Sequence, residues 1–100
     1  MAKYVLEWTN RDSATGEGTG RRLMDVFSKW TPAAGNIQQF LSRVDGGGGY
    51  SVVETDNLLE ILRDTTKFSP WLEFTVTPVI DITDAVPVFN EALDFVESVP

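Results

Sequence analysis

The chain has 100 residues, 42% apolar and 11% aromatic, a globular composition that supports one domain over residues 1–100. It holds neither cysteine nor histidine, which excludes disulfides, thiolate metal sites, thiol redox chemistry, imidazole bases and His-based zinc or haem sites. The net charge is −7, with all eight Lys and Arg in residues 1–67 and six acidic residues from Phe68 onward, which argues against a nucleic-acid partner.

Residues 3–9 alternate, with Tyr4, Leu6 and Trp8 on one face and Lys3, Glu7 and Thr9 on the other, the period of a half-buried strand. Asn10 to Gly20 is polar and glycine-rich and reads as a loop. From Arg21 to Trp30, the residues Leu23, Met24, Val26, Phe27 and Trp30 recur at helical spacing, and Thr31-Pro32 ends that helix. A second strand is expected over Asn36–Val44, with Ile37 and Leu41 on one side and Phe40 and Val44 on the other.

Gly46-Gly47-Gly48-Gly49 then reads as a flexible hairpin connection into a third strand, Tyr50–Thr55. Asp56 or Asn57 can cap a second helix, Asn57 with Glu60 resembling a capping box, and Leu58, Leu59, Ile61 and Leu62 supply its buried stripe. That helix stops before Ser69-Pro70, and Trp71–Ile80 forms a fourth strand. Asp84 is expected to cap a last helix to about Ser98, with Pro87 in its first turn. Ala85, Val88, Ala92, Phe95 and Val99 make one apolar stripe of this helix, and Val86, Phe89, Leu93 and Val96 make a second. One sheet cannot cover both, so part of the helix is expected to meet a partner subunit.

The order βαββαβ followed by α implies an α+β fold, a four-stranded antiparallel sheet with two helices on one face. Trp8 or Val5, Phe40 or Leu41, and Tyr50 or Val52 must then point to the other face, beside Glu7, Arg43, Glu54 and Glu73. Pairing two such faces over ~600 Å² per subunit, half of it apolar, would gain on the order of 7 kcal/mol before association costs. A homodimer is therefore expected. No apolar run approaches the roughly 20 residues that cross a bilayer, and the N-terminus enters a strand without a signal-like apolar segment, so a cytoplasmic address without membrane partners is expected.

Phe27-Ser28-Lys29-Trp30-Thr31-Pro32, Arg43-Val44-Asp45-Gly46, Val53-Glu54-Thr55-Asp56, Phe68-Ser69-Pro70-Trp71 and Pro78-Val79-Ile80-Asp81 resemble a family of small bacterial proteins known only as a domain of unknown function. By its layout that family is similar to the dimeric α/β-barrel superfamily, which implies two ferredoxin-like sheets packed into a shared barrel with ligand clefts between sheet and helices. The superfamily includes cofactor-independent monooxygenases, haem-degrading enzymes and dehydratases. The family itself brings no catalytic residues to this chain, and its likeness departs most in the glycine-rich Asn10–Gly20 segment.

Gly16 to Gly20 with Arg21 and Arg22 is a candidate anion cradle, but Arg21 stands where a dinucleotide fingerprint needs glycine, and a mobile surface loop is the plainer reading. Arg43, Glu54 and Glu73 are candidates for a buried base with an anion-holding arginine, against the plainer reading of cross-strand ion pairs. Trp8, Trp30 and Trp71 are candidate walls of an aromatic pocket, against the plainer reading of core plugs. No acidic pair has metal spacing, so no metal and no cofactor is expected. The favoured reading is a homodimer without demonstrable catalysis. Its rival is a small-molecule binder or monooxygenase-like enzyme using Trp8, Trp30, Arg43, Glu54 and Trp71 as ligand-binding residues.

Overall fold

The alternating segment Lys3–Asn10 forms β1, and the computed structural model, which describes residues Met1–Pro100, builds the whole sheet around it. After a 3-10 turn at Asp12–Ala14 come α1 (Glu17–Lys29), β2 (Ile37–Ser42), β3 (Gly48–Glu54), α2 (Leu58–Phe68), β4 (Leu72–Val79) and α3 (Ile82–Ser98). The strands lie in the order β2-β3-β1-β4, all pairs antiparallel. This is a ferredoxin-like α+β arrangement with one added helix.

The register decides which residues face the helices. Leu6 pairs with Ser51, Tyr4 with Val53 and Trp8 with Gly49, so these share one face. On the same face Phe40 pairs with Ser51, and Phe74 pairs with Trp8. Val5, Glu7, Leu41, Tyr50, Val52, Glu54 and Glu73 take the opposite, open face. Of the alternatives weighed for that face, Trp8 and Phe40 turn inward, whereas Val5, Leu41, Tyr50 and Val52 turn outward.

Ile37 departs from simple alternation. A register shift between Ile37 and Gln39 sets Ile37 against Val53 on the inner face, beside Phe40 rather than opposite it. A bulge adds one residue and inverts the phase, so the expected pairing of Ile37 with Leu41 does not form. Val44 lies beyond the strand and is fully exposed.

Two further expectations are corrected by glycine. The segment Gly16–Gly20 is not a loop: α1 begins at Glu17, and the Gly20 N–H bonds the Gly16 carbonyl at 2.7 Å. Of the four central glycines only Gly46 and Gly47 make the turn, Gly46 with φ +74°. Gly48 and Gly49 are buried members of β3, and a Cβ on Gly49 would collide with the Trp8 indole and the Leu41 carbonyl. Gly49 makes room for the Trp8 indole, and Gly48 lets the backbone of β1 at Trp8 and Thr9 approach closely.

At α2 the Asn57 side chain accepts the Leu59 N–H at 3.1 Å, as a cap should. The expected capping box runs through a relay. The Thr55 hydroxyl accepts the Asn57 N–H at 3.0 Å and donates to Glu60 Oε2 at 2.9 Å. At α3 the helix starts two residues before Asp84, behind Asp81, so Pro87 falls in the second turn and not the first. Its ring removes the donor that the Thr83 carbonyl would meet.

The core is small: Leu6, Ala34, Val53 and Ile61, with Tyr4 and Ile37 against it. The molecule is long, 63 × 26 × 20 Å, and its radius of gyration of 18.0 Å exceeds the ~13 Å of a compact 100-residue fold. The excess is α3, which stands off the body with only Ala85 buried, while Ile82, Val86, Phe89, Leu93, Phe95 and Val96 are exposed. No helix is long and apolar enough to cross a membrane.

Gly49→Ala should lower stability by about 1–3 kcal/mol in urea unfolding, because the new methyl displaces Trp8. Gly18→Ala meets open space inside α1 and should raise stability by about 0.5–1 kcal/mol.

Candidate functional site

Between the inner face of the sheet and helices α1 and α2 lies a cleft of about 610 Å³. Its floor is Leu6, Trp8, Phe40, Ser51, Val53 and Phe74 from the strands. Leu23, Met24, Phe27 and Trp30 line it from α1 and its end, and Ile61, Asp64, Thr65 and Phe68 from α2. The 3.6-residue period of each helix delivers those side chains to one side.

Five aromatic rings make the wall continuous. Trp8 meets Phe40 edge-on with centroids 5.4 Å apart, and Trp30 meets Phe68 edge-on at 5.1 Å. Phe40 lies 6.1 Å from both Phe27 and Trp30, which closes the set. Edge-to-face contacts of this kind contribute ~0.5–1.5 kcal/mol each beyond area burial. Met24, Phe27 and Phe40 nevertheless remain exposed, so the cleft opens to the outside through apolar side chains.

Asp64 holds this architecture in place. It is 7% exposed on the buried stripe of α2, between Ile61 and Phe68. Its Oδ1 accepts the Trp30 indole N–H at 3.1 Å and the Ala33 N–H at 2.8 Å, and its Oδ2 accepts the Ala34 N–H at 3.0 Å. One carboxylate thus satisfies the loop after α1 and orients an indole in the wall. Sequence reasoning passed over Asp64, although a lone acid among Ile61 and Phe68 at helical spacing was a visible signal.

Of the five residues singled out for ligand binding, the cleft brings together Trp8 and Trp30. Trp71 lies outside it as a half-buried corner, its N–H donating to the Phe68 carbonyl at 3.0 Å and its carbonyl accepting the Arg11 N–H at 2.8 Å. Glu54 lies on the open face, 3.8 Å from Lys3 Nζ, and accepts the Asn36 side-chain amide at 3.3 Å. Arg43 pairs with Asp45 in the β2–β3 turn. The Gly47 N–H and then Arg43 hold the Asp45 carboxyl below its usual range, and the hydrogen bond to Asp45 raises the Arg43 guanidinium. Both groups are exposed, and the pair serves the turn. Glu73 is exposed on β4, and no cluster of three metal-ligating side chains occurs.

The cleft is apolar, aromatic and nearly free of charge, Asp64 being its single ionisable lining residue. Comparison with known families adds one finding: a model described as Domain of unknown function (DUF3303) matches residues 2–93. The chain belongs to this family. No curated protein and no solved structure matches the chain. Residues 2–93 of the DUF3303 match contain every cleft residue named above and most of α3.

Asp64→Asn replaces one accepting oxygen by a donor facing backbone N–H groups. Stability should fall by about 1–3 kcal/mol in urea unfolding, with a change in Trp30 fluorescence.

Proposed function

We propose that this DUF3303 protein is a homodimer that binds one flat, predominantly apolar small molecule between its sheet and its helices. The aromatic cleft carries the reading. Its volume of about 610 Å³ falls within the ~300–1,000 Å³ of small-molecule sites, and six aromatic rings line it. Binding is favoured over catalysis because the one carboxylate in the cleft already accepts three N–H groups and is engaged as a structural anchor.

Dimerisation is supported by two surfaces that nothing covers, the mixed outer sheet face, where Val5, Leu41, Tyr50 and Val52 lie among Glu7, Glu54 and Glu73, and the apolar stripes of the projecting α3. A four-stranded face of about 440 Å² with a 25 Å helix stripe of about 250 Å² offers roughly 700 Å² per subunit. That approaches the ~800 Å² per partner of a stable interface. A second copy is the occupant because it brings the same two surfaces and so covers both at once.

Sedimentation equilibrium should give twice the 11.1 kDa of one chain, and Val86→Asp with Phe89→Asp should shift it toward the monomer. A wild-type monomer at micromolar concentration would remove the dimer from this reading. For the cleft, N-phenyl-1-naphthylamine should bind saturably at one per chain and quench tryptophan emission. Phe27→Glu, which sets a charge among the rings, should weaken it at least about tenfold. Binding that does not saturate, or that ignores Phe27→Glu, would exclude the cleft as the site.

A further inference from the structure

We infer that Ser51 is the polar recognition point of the cleft, and that the ligand is an uncharged flat aromatic molecule carrying one acceptor oxygen, as an aryl ketone does. The inference rests on the reading of the cleft as a ligand site and adds the chemistry of what fills it.

Ser51 sits at the centre of the floor, paired with Leu6 on one side and Phe40 on the other, and is 6% exposed. Such a position in a central strand favours Val or Ile, because an unpartnered hydroxyl among apolar groups is destabilising. The other polar side chains of the cleft are mostly committed within the protein. Asn10 donates to the Gly46 carbonyl, Thr65 to Leu62, Ser42 to Arg43, and Trp30 to Asp64. Ser51 Oγ takes part in no hydrogen bond. No fully sealed polar side-chain atom in the molecule lacks a partner, so this hydroxyl is open to the cleft and not walled off.

Trp8 on the neighbouring strand is the other lining residue whose polar group has no acceptor in the protein, and an indole N–H only donates. A serine hydroxyl donates or accepts. Each can donate to an acceptor oxygen on a ligand. The rest of the floor and walls is rings and aliphatic side chains, which suit a flat hydrocarbon frame. No cationic side chain lines the cleft of a protein with net charge −7, so an anionic ligand finds no counter-charge there.

The test uses two molecules of one shape, 9-fluorenone and fluorene, which differ by the carbonyl, competing against N-phenyl-1-naphthylamine on the full chain. The wild type should bind fluorenone about tenfold more tightly than fluorene. Ser51→Ala should weaken fluorenone about 5–10-fold and leave fluorene unchanged, which brings the pair near parity. Urea unfolding should show Ser51→Ala at least as stable as the wild type, since no intramolecular bond is lost. Equal losses for both molecules, no loss for either, or a clear fall in stability would overturn the role of Ser51 while leaving the cleft as a site. Failure of both molecules to displace bound N-phenyl-1-naphthylamine from the wild type would overturn the proposed ligand chemistry while leaving the cleft as a site, whereas failure of N-phenyl-1-naphthylamine itself to bind would overturn the cleft reading, and the role of Ser51 with it.

Discussion

Three N–H groups converge on the carboxylate of Asp64, and the shape of the inner half of the molecule follows from that convergence. Helix α1 ends at Lys29 and β2 begins at Ile37, so the chain between them must turn over the sheet with its backbone donors pointing inward. Buried donors of this kind need acceptors. An acidic side chain from α2 supplies them and at the same time takes the indole N–H of Trp30. The end of α1, the following loop and the middle of α2 are therefore tied at one point. That tie sets how far the helices stand from the strands, and hence whether the space beneath them is packed solid or left as a cleft.

The sheet contributes a second accommodation. Trp8 is too large to lie on a strand crowded with side chains, and β3 meets its indole with Gly49. The exchange keeps the indole low, edge-on to Phe40, and leaves the Ser51 hydroxyl without a hydrogen-bond partner nearby in β3. A larger residue at 49 would lift the ring into the opening. The aromatic wall and the hydroxyl on the floor are thus two results of one packing solution, which links local backbone chemistry to the chemistry of a ligand.

The remainder of the chain follows a different logic. Helix α3 carries Asp84, Glu91, Asp94 and Glu97 among exposed aliphatic and aromatic side chains, and its body offers nothing to cover them. Soluble monomers seldom leave so long an apolar surface wet. The outer sheet face, with Tyr50 and Leu41 uncovered, presents a second such surface. Both surfaces are answered by the proposed second copy. The small core of four side chains also fits a fold that draws part of its stability from association.

Much of the element order was legible in the chain itself. Alternation marked β1 and β4, proline marked the ends of α1 and α2, and Asn57 marked the start of α2, because each of these is set by interactions within a few residues. Trp8 and Trp30 were legible as candidate wall residues for the same reason. What the residues alone left open was decided by contacts distant in sequence. The bulge in β2 brought Ile37 and Phe40 to one face, close approach to β1 claimed two glycines that local reading gave to a turn, one beneath the Trp8 indole and one against the β1 backbone, and Gly16–Gly20 joined a helix that its composition disfavours. Asp64 acquired its role only when the loop after α1 folded onto it. Local propensity is a matter of tenths of a kcal/mol per residue, whereas a buried ring or a buried carboxylate carries several, so where the two disagreed the tertiary contacts prevailed.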